Sequence, residues 1–135
     1  KEPLAVAEGG SRGLVRVQHT VLRIVRDTVV SREVKRMYDY RGQACNMRIE
    51  GTSGGYAEGA HIRPLGEPHS GPDDLGNLLC LCPNHHAMLD LGSYTIGDDL
   101  ELIGIGKELH VRPDHPIDVN NLRYHREHYY LVTAA

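Results

Sequence analysis

Tyr56 to Asp90 constrains the chain most, because its punctuation allows one order of elements, strand, loop, strand and helix. Tyr56 to Ile62 alternates, which puts His61 on one face of a strand and Glu58 and Ala60 on the other. From Arg63 to Asn77 the chain carries Pro64, Gly66, Pro68, Gly71, Pro72 and Gly76, so neither helix nor strand can run through it. Loops of that length in small domains are usually functional or disordered. Leu78 to Leu81 reads as a second strand, and Pro83 suits the first turn of a helix that carries His85, His86, Met88, Leu89 and Asp90.

This stretch holds most of the side chains able to do chemistry. Hydrolysis of a phosphodiester needs an activated water and a cation to absorb charge. The His61 imidazole titrates near neutrality and can serve as a base. His86 and Asp90 stand at i and i+4 on one helix face, a spacing that lets two side chains bind one ion. Singly, each has a plainer reading: a strand histidine is more often structural, and Asn77 after Gly76 fits a turn.

Together, His61, Asn77 and His86, spaced by sixteen and nine residues, resemble the HNH endonuclease motif. AHIRPLG and LCLCPNHH further resemble the HNH domains of modification-dependent restriction enzymes, which follow an SRA domain that reads methylated cytosine. The resemblance implies an α+β fold: a ββα-metal core flanked by an N-terminal helix and a C-terminal hairpin and helix. It implies that His61 is the general base, that Asn77 pins the loop or, in some readings, approaches the metal, and that His86 and Asp90 bind the catalytic ion. Where many such sites place Asp or His before the base, this chain has Ala60; Glu58, on the same strand face, is the substitute ligand. A carboxylate and imidazole set favours Mg or Mn and admits Ni, Co or Zn.

The cysteines raise a second metal question. Zinc-stabilised HNH domains use a C-x-x-C before the first histidine and a C-x-x-C or C-x-x-H after the asparagine. Here Cys82 and His85 supply the later half and Cys45 one residue of the earlier, but Gly42 stands where its partner is expected. Three ligands leave a tetrahedral structural zinc one short, and the alternative is a pair of buried thiols. Cys80, one strand residue away, would point to the wrong face.

Three cysteines, two of them in Cys80-Leu81-Cys82, argue for a reducing, cytoplasmic setting over disulfides, and no apolar run approaches membrane-spanning length. Net charge is −3, yet residues 1–48 carry ten Lys/Arg against five Asp/Glu, while residues 49–135 carry five against thirteen. The basic part suits phosphate, and Arg32, Lys35 and Arg36 are its DNA-binding candidates, with solvated surface as the plain alternative. Arg63 either contacts phosphate or braces Asp73 or Asp74; His69 is expected in solvent.

Residues 1–27 read as a flexible arm from an upstream reading domain, with 14–41 resembling the connector of the SRA-HNH family; residues 28–135 are the nuclease domain. Beginning at Lys1, the chain reads as a fragment of a longer protein. Val30, Val34, Met37 and Tyr38 share a helix face, with Gly42 as its expected stop. Met47 to Ile49 is a short strand before a Gly-rich turn; Tyr94 to Ile105 is a hairpin; Lys107 to Val111 is another strand; Asp118 caps a last helix. The expected function is metal-dependent cleavage of double-stranded DNA, aimed at 5-methylcytosine, by a homodimer with one site per strand. The alternatives are a catalytically weak DNA-binding platform and a nicking or RNA-directed nuclease.

Overall fold

The computed structural model describes residues 27–130. All but the last residue of the arm expected at 1–27, and Val132 of the last helix, lie outside these residues. The first helix, α1, is Val29–Met37, with the Thr28 hydroxyl accepting from the Ser31 amide as N-cap. It ends before Gly42, the expected stop, because Asp39 and Tyr40 take positive φ, 51° and 62°. The expected strand at 47–49 shifts to β1, Ile49–Gly51, which pairs with β2, Gly54–Tyr56.

The centre is the antiparallel ribbon of β3, Glu58–His61, and β4, Leu78–Leu81, in register Glu58↔Leu81 and His61↔Leu78. Helix α2, Pro83–Leu91, follows directly; Gly92 closes it in left-handed conformation at φ 74°, which favours glycine. Alternation along the ribbon sorts its side chains into two cores. Leu78 and Cys80 pack with Val34 and Tyr38 of α1, while Ala60, Leu79 and Leu81 pack with Leu89 of α2. Gly59 makes the first face possible: a Cβ there would lie 2.6 Å from the Ser31 Cβ.

The second face is completed by β5 (Thr95–Ile96), β6 (Glu101–Ile103) and β7 (Lys107–Glu108) in one antiparallel sheet, and by α3, Val119–His125. The last strand is shorter than the expected 107–111. Asp118 does cap α3, accepting from the Asn120 amide, and a π-helical turn, Arg126–Tyr130, extends it. Tyr94, Ile96, Leu102 and Leu122 fill this core without Trp or Phe.

His125 is a structural anchor within it. It is 2% exposed, accepts from the Thr95 hydroxyl at Nδ1 (2.7 Å) and donates from Nε2 to the Leu89 carbonyl (2.8 Å), an arrangement for the neutral ring. Burial pushes its pKa down to about 4. Below the ordinary histidine value of about 6.5 the unfolded chain therefore binds a proton that the folded chain refuses, so stability falls with pH until the folded ring titrates. The expected loss between pH 6.5 and 4 is about 3 kcal/mol from this ring. His115, held between the Tyr38 hydroxyl and the Leu75 carbonyl and also lowered by burial, adds loss of the same sign. Urea midpoints across that range check this, and His125→Gln is expected to flatten the dependence.

Candidate active site

His61 closes β3 on the α1 side of the ribbon. Its Nε2 is 2.8 Å from Asp73 Oδ1, and the Thr28 hydroxyl donates to the same oxygen at 3.3 Å. That carboxylate orients the imidazole at the end of the strand.

The loop between the ribbon strands is held by Asn77, fully buried in the 3-10 turn Leu75–Asn77. Its Nδ2 donates to the Arg63 and Pro72 carbonyls, both at 2.8 Å, and its Oδ1 accepts from the Arg63 amide at 2.8 Å. One side chain thus ties both ends of the loop, and Asp73 follows the second tie.

On the opposite face of β3, Glu58 points toward α2. Its Oε1 is 2.8 Å from His86 Nδ1, its Oε2 accepts from the Tyr56 hydroxyl at 2.7 Å, and His86 Nε2 is 3.3 Å from Asp90 Oδ2. His86 and Glu58 are buried, whereas the Asp90 side chain is 22% exposed. An imidazole set between two carboxylates can hold a cation at one nitrogen while the other is oriented by a carboxylate. The Asp90 side suits a cation: neighbouring ligands about 2.1 Å from one ion lie about 3 Å apart, near the distance observed. Glu58 addresses the other ring nitrogen, so its Oε1 does not converge with Asp90 on that point.

With this geometry in place, three comparisons bear on identity. Residues 35–97 match the family model for the HNH endonuclease. The structure of the modification dependent TagI restriction endonuclease matches with a TM-score of 0.73 at 43% sequence identity, covering 77% of this chain and 38% of that one. The chain carries an HNH endonuclease domain. It spans well under half the length of that relative, and no curated protein matches it. HNH nucleases work with divalent ions, and the α+β fold expected from the sequence is the one observed.

The HNH domain has a second convergence of ligands. Among the described residues, Cys45, Cys82 and His85 form the group whose ligand atoms all lie within 4.8 Å of one another. Cys45 sits in a tight knuckle closed by Gly42 N–H to the Met47 carbonyl (2.9 Å) and Asn46 N–H to the Gly42 carbonyl (2.7 Å). Each sulfur accepts a backbone amide, Cys45 from Met47 at 3.4 Å and Cys82 from His85 at 3.5 Å. Burial raises the Cys45 thiol and lowers His85, keeping that imidazole neutral as a ligand must be. The three residues fit three corners of a zinc site, Cys82 Sγ lying 3.2 Å from His85 Nδ1. Gly42 flanks the site without a side chain: a Cβ there would be 2.9 Å from Cys45 Sγ and 3.2 Å from the Cys82 nitrogen. Cys80 is fully buried on the other ribbon face, its thiol pushed up to about 12 by burial. The adjacent histidines therefore have separate duties, His85 toward the cysteines and His86 toward the carboxylates.

Sequence reasoning missed two of these groups. Asp73 on His61 and Tyr56 on Glu58 carried no motif signal. Arg63 is braced by neither Asp73 nor Asp74; its Nε donates to the His69 carbonyl at 2.6 Å and its guanidinium lies 4.3 Å over the Tyr124 ring. His69, expected in solvent, is half-buried, with Tyr124 and Tyr129 hydroxyls 2.6 and 3.2 Å from its two nitrogens. On α1, Arg32 pairs with Asp27 at 3.3 Å, Lys35 lies 4.0 Å from the same carboxylate, and Arg36 is 3.3 Å from Glu33. No described helix is long and apolar enough to cross a membrane.

Proposed function

We infer that this HNH domain is the DNA-cleaving part of a restriction enzyme directed at modified DNA, 5-methylcytosine being the expected mark, and that it works with Mg or Mn. The observation that carries this reading is the pairing of His61 with Asp73 beside a loop pinned by Asn77, in a fold similar to that of a solved modification dependent restriction endonuclease. His61, oriented by Asp73, takes the proton from water. His86 and Asp90 are the groups that would hold the divalent ion, which when bound supplies charge stabilisation for the phosphate and its leaving oxygen. Glu58, assigned from the sequence as a ligand, is proposed to orient His86 through Nδ1, the usual arrangement behind a metal-bound histidine. Arg63 meets the phosphate backbone beside the site, and Arg32, Lys35 and Arg36 do so along α1. Two copies are needed to cut both strands with one site each, so the cytoplasmic enzyme is proposed to act as a homodimer.

The test is cleavage of supercoiled plasmid, methylated or unmethylated, by this chain at low salt with Mg or Mn. Expected are nicked and linear products that vanish with EDTA. Absence of metal-dependent cutting on both plasmids would overturn the reading.

The Cys45, Cys82 and His85 group is proposed to hold structural zinc, with solvent at the fourth corner. Gly42→Cys is then expected to complete the tetrahedron once the Cys45 sulfur swings aside and the Cys82 backbone nitrogen, 3.2 Å from the new Cβ, gives by a few tenths of an ångström. The variant should hold zinc at least tenfold tighter against a competing chelator and melt higher with zinc; equal affinity in both proteins would exclude the site.

A further inference from the structure

The match to the HNH family ends at residue 97, yet α3 and the π-helical turn after it reach back to the loop that follows β3. Arg63, two residues past His61, is the contact point. Its guanidinium lies 4.3 Å over the Tyr124 ring, and His128 stacks on the same ring at 3.7 Å and 14°. Two groups so near one centroid occupy opposite faces, giving a layered stack of Arg63, Tyr124 and His128. The Tyr124 hydroxyl is bonded to His69 Nδ1 (2.6 Å), and the His69 carbonyl accepts from Arg63 Nε (2.6 Å), so the ring and the loop hold the same cation. Tyr129 bonds His69 Nε2 from the other side (3.2 Å), and its backbone packs against Gly92, where a Cβ would lie 2.3 Å from the Tyr129 carbonyl oxygen. The C-terminal turn therefore joins the Arg63 loop to the end of the helix that carries His86 and Asp90.

What this assembly omits is as informative as what it contains. No described carboxylate lies within ion-pair distance of Arg63, although Arg48, Arg112, Arg123 and Arg126 each have such a partner. An aromatic face and a carbonyl fix a guanidinium without cancelling its charge, leaving its terminal nitrogens for a bidentate anion. A structural arginine has no need of that combination, and a phosphate clamp does.

We propose that Arg63, locked by Tyr124 and the His69 carbonyl, is a phosphate clamp for the DNA strand beside His61, and that the C-terminal helix is a working part of the nuclease site. The clamp rests on the nuclease reading. Tyr124 and His69 are positioning residues, acting through Arg63.

The experiment measures binding of the full chain to a fluorescent DNA duplex across a salt series in EDTA, with cleavage kinetics in Mn alongside. Arg63→Met is expected to reduce the slope of log affinity against log salt by about one, the signature of one lost phosphate contact. It should also raise KM roughly tenfold with a smaller change in kcat, as expected for loss of uniform binding. Arg63→Lys should restore the slope, since charge is kept, but not KM, since a lysine lacks the planar stack. Tyr124→Leu should copy the KM defect of Arg63→Met without adding to it in the double variant, and Tyr124→Phe, which keeps the ring, should recover most of it. If the leucine variant does not fold, the Arg63 pair and the phenylalanine variant still decide. Wild-type slope and KM in Arg63→Met would overturn the clamp while the unaltered chain binds and cuts. An unaltered chain that neither binds nor cuts would overturn the nuclease reading, and the clamp with it.

Discussion

His61→Ala is expected to cleave plasmid at least a hundredfold more slowly than the unaltered chain in the same Mn or Mg buffer, with metal binding unchanged by calorimetry. A positioned general base contributes on the order of 10²–10⁴ in rate, and no other group replaces this one. Asp90 and Glu58 are engaged with His86, and Asp73 is engaged with His61 itself. The separation of readouts follows from the ribbon. His61 and Glu58 lie on opposite faces of β3, so removing the imidazole leaves the Glu58, His86 and Asp90 array in place. Asp73→Asn is expected to give a smaller loss, since an amide still bonds the ring but its uncharged group gives less support to the imidazolium formed on proton transfer. Full activity in His61→Ala would move the base elsewhere and leave His61 as a residue that secures Asp73 to the end of β3.

The parts of this arrangement that could be read from the chain are those fixed by neighbours in sequence. Strand β4 and helix α2 run as expected because Pro83 and Gly92 mark the helix at both ends by backbone geometry alone. The placing of His61 opposite Glu58 followed from the two-residue period of a strand. The end of α1 was misplaced because Asp39 and Tyr40 adopt a left-handed conformation that their side chains do not announce, so the nearest glycine looked like the stop. The partners of His61 and Arg63 were beyond reach for a different reason. Asp73 meets His61 only through the path of a long loop, and Tyr124 meets Arg63 across sixty intervening residues. Glu58 illustrates the intermediate case: its face was legible, but which nitrogen of His86 it would address depends on how α2 crosses the ribbon.

Asn77→Asp separates the two roles open to the motif's asparagine, loop pin and metal ligand, because the exchange keeps shape and reverses hydrogen-bond polarity. In the folded chain Nδ2 donates to two carbonyls, Arg63 and Pro72, at a site with no exposure. An ionised Asp would face both with an acceptor, and the single N–H from Arg63 would be its one remaining side-chain partner from the present set. Leaving two buried acceptors unmet costs about 1–3 kcal/mol each, so a total destabilisation of about 3 kcal/mol is expected at pH 8. Protonation would return one donor and lessen the cost, which places the folded pKa of that carboxyl above its unfolded value. Stability is then recovered as pH falls, and the gap to the parent chain should be narrower at pH 5 than at pH 8. Because the pinned loop carries Asp73, which orients His61, cleavage should fall with stability, while manganese affinity at His86 and Asp90 stays the same. A ligand role predicts the reverse, since an added carboxylate would hold the ion as well or better. Tighter manganese binding with retained cleavage in Asn77→Asp would therefore assign Asn77 to the metal and leave the bonds to Arg63 and Pro72 as a consequence of its position.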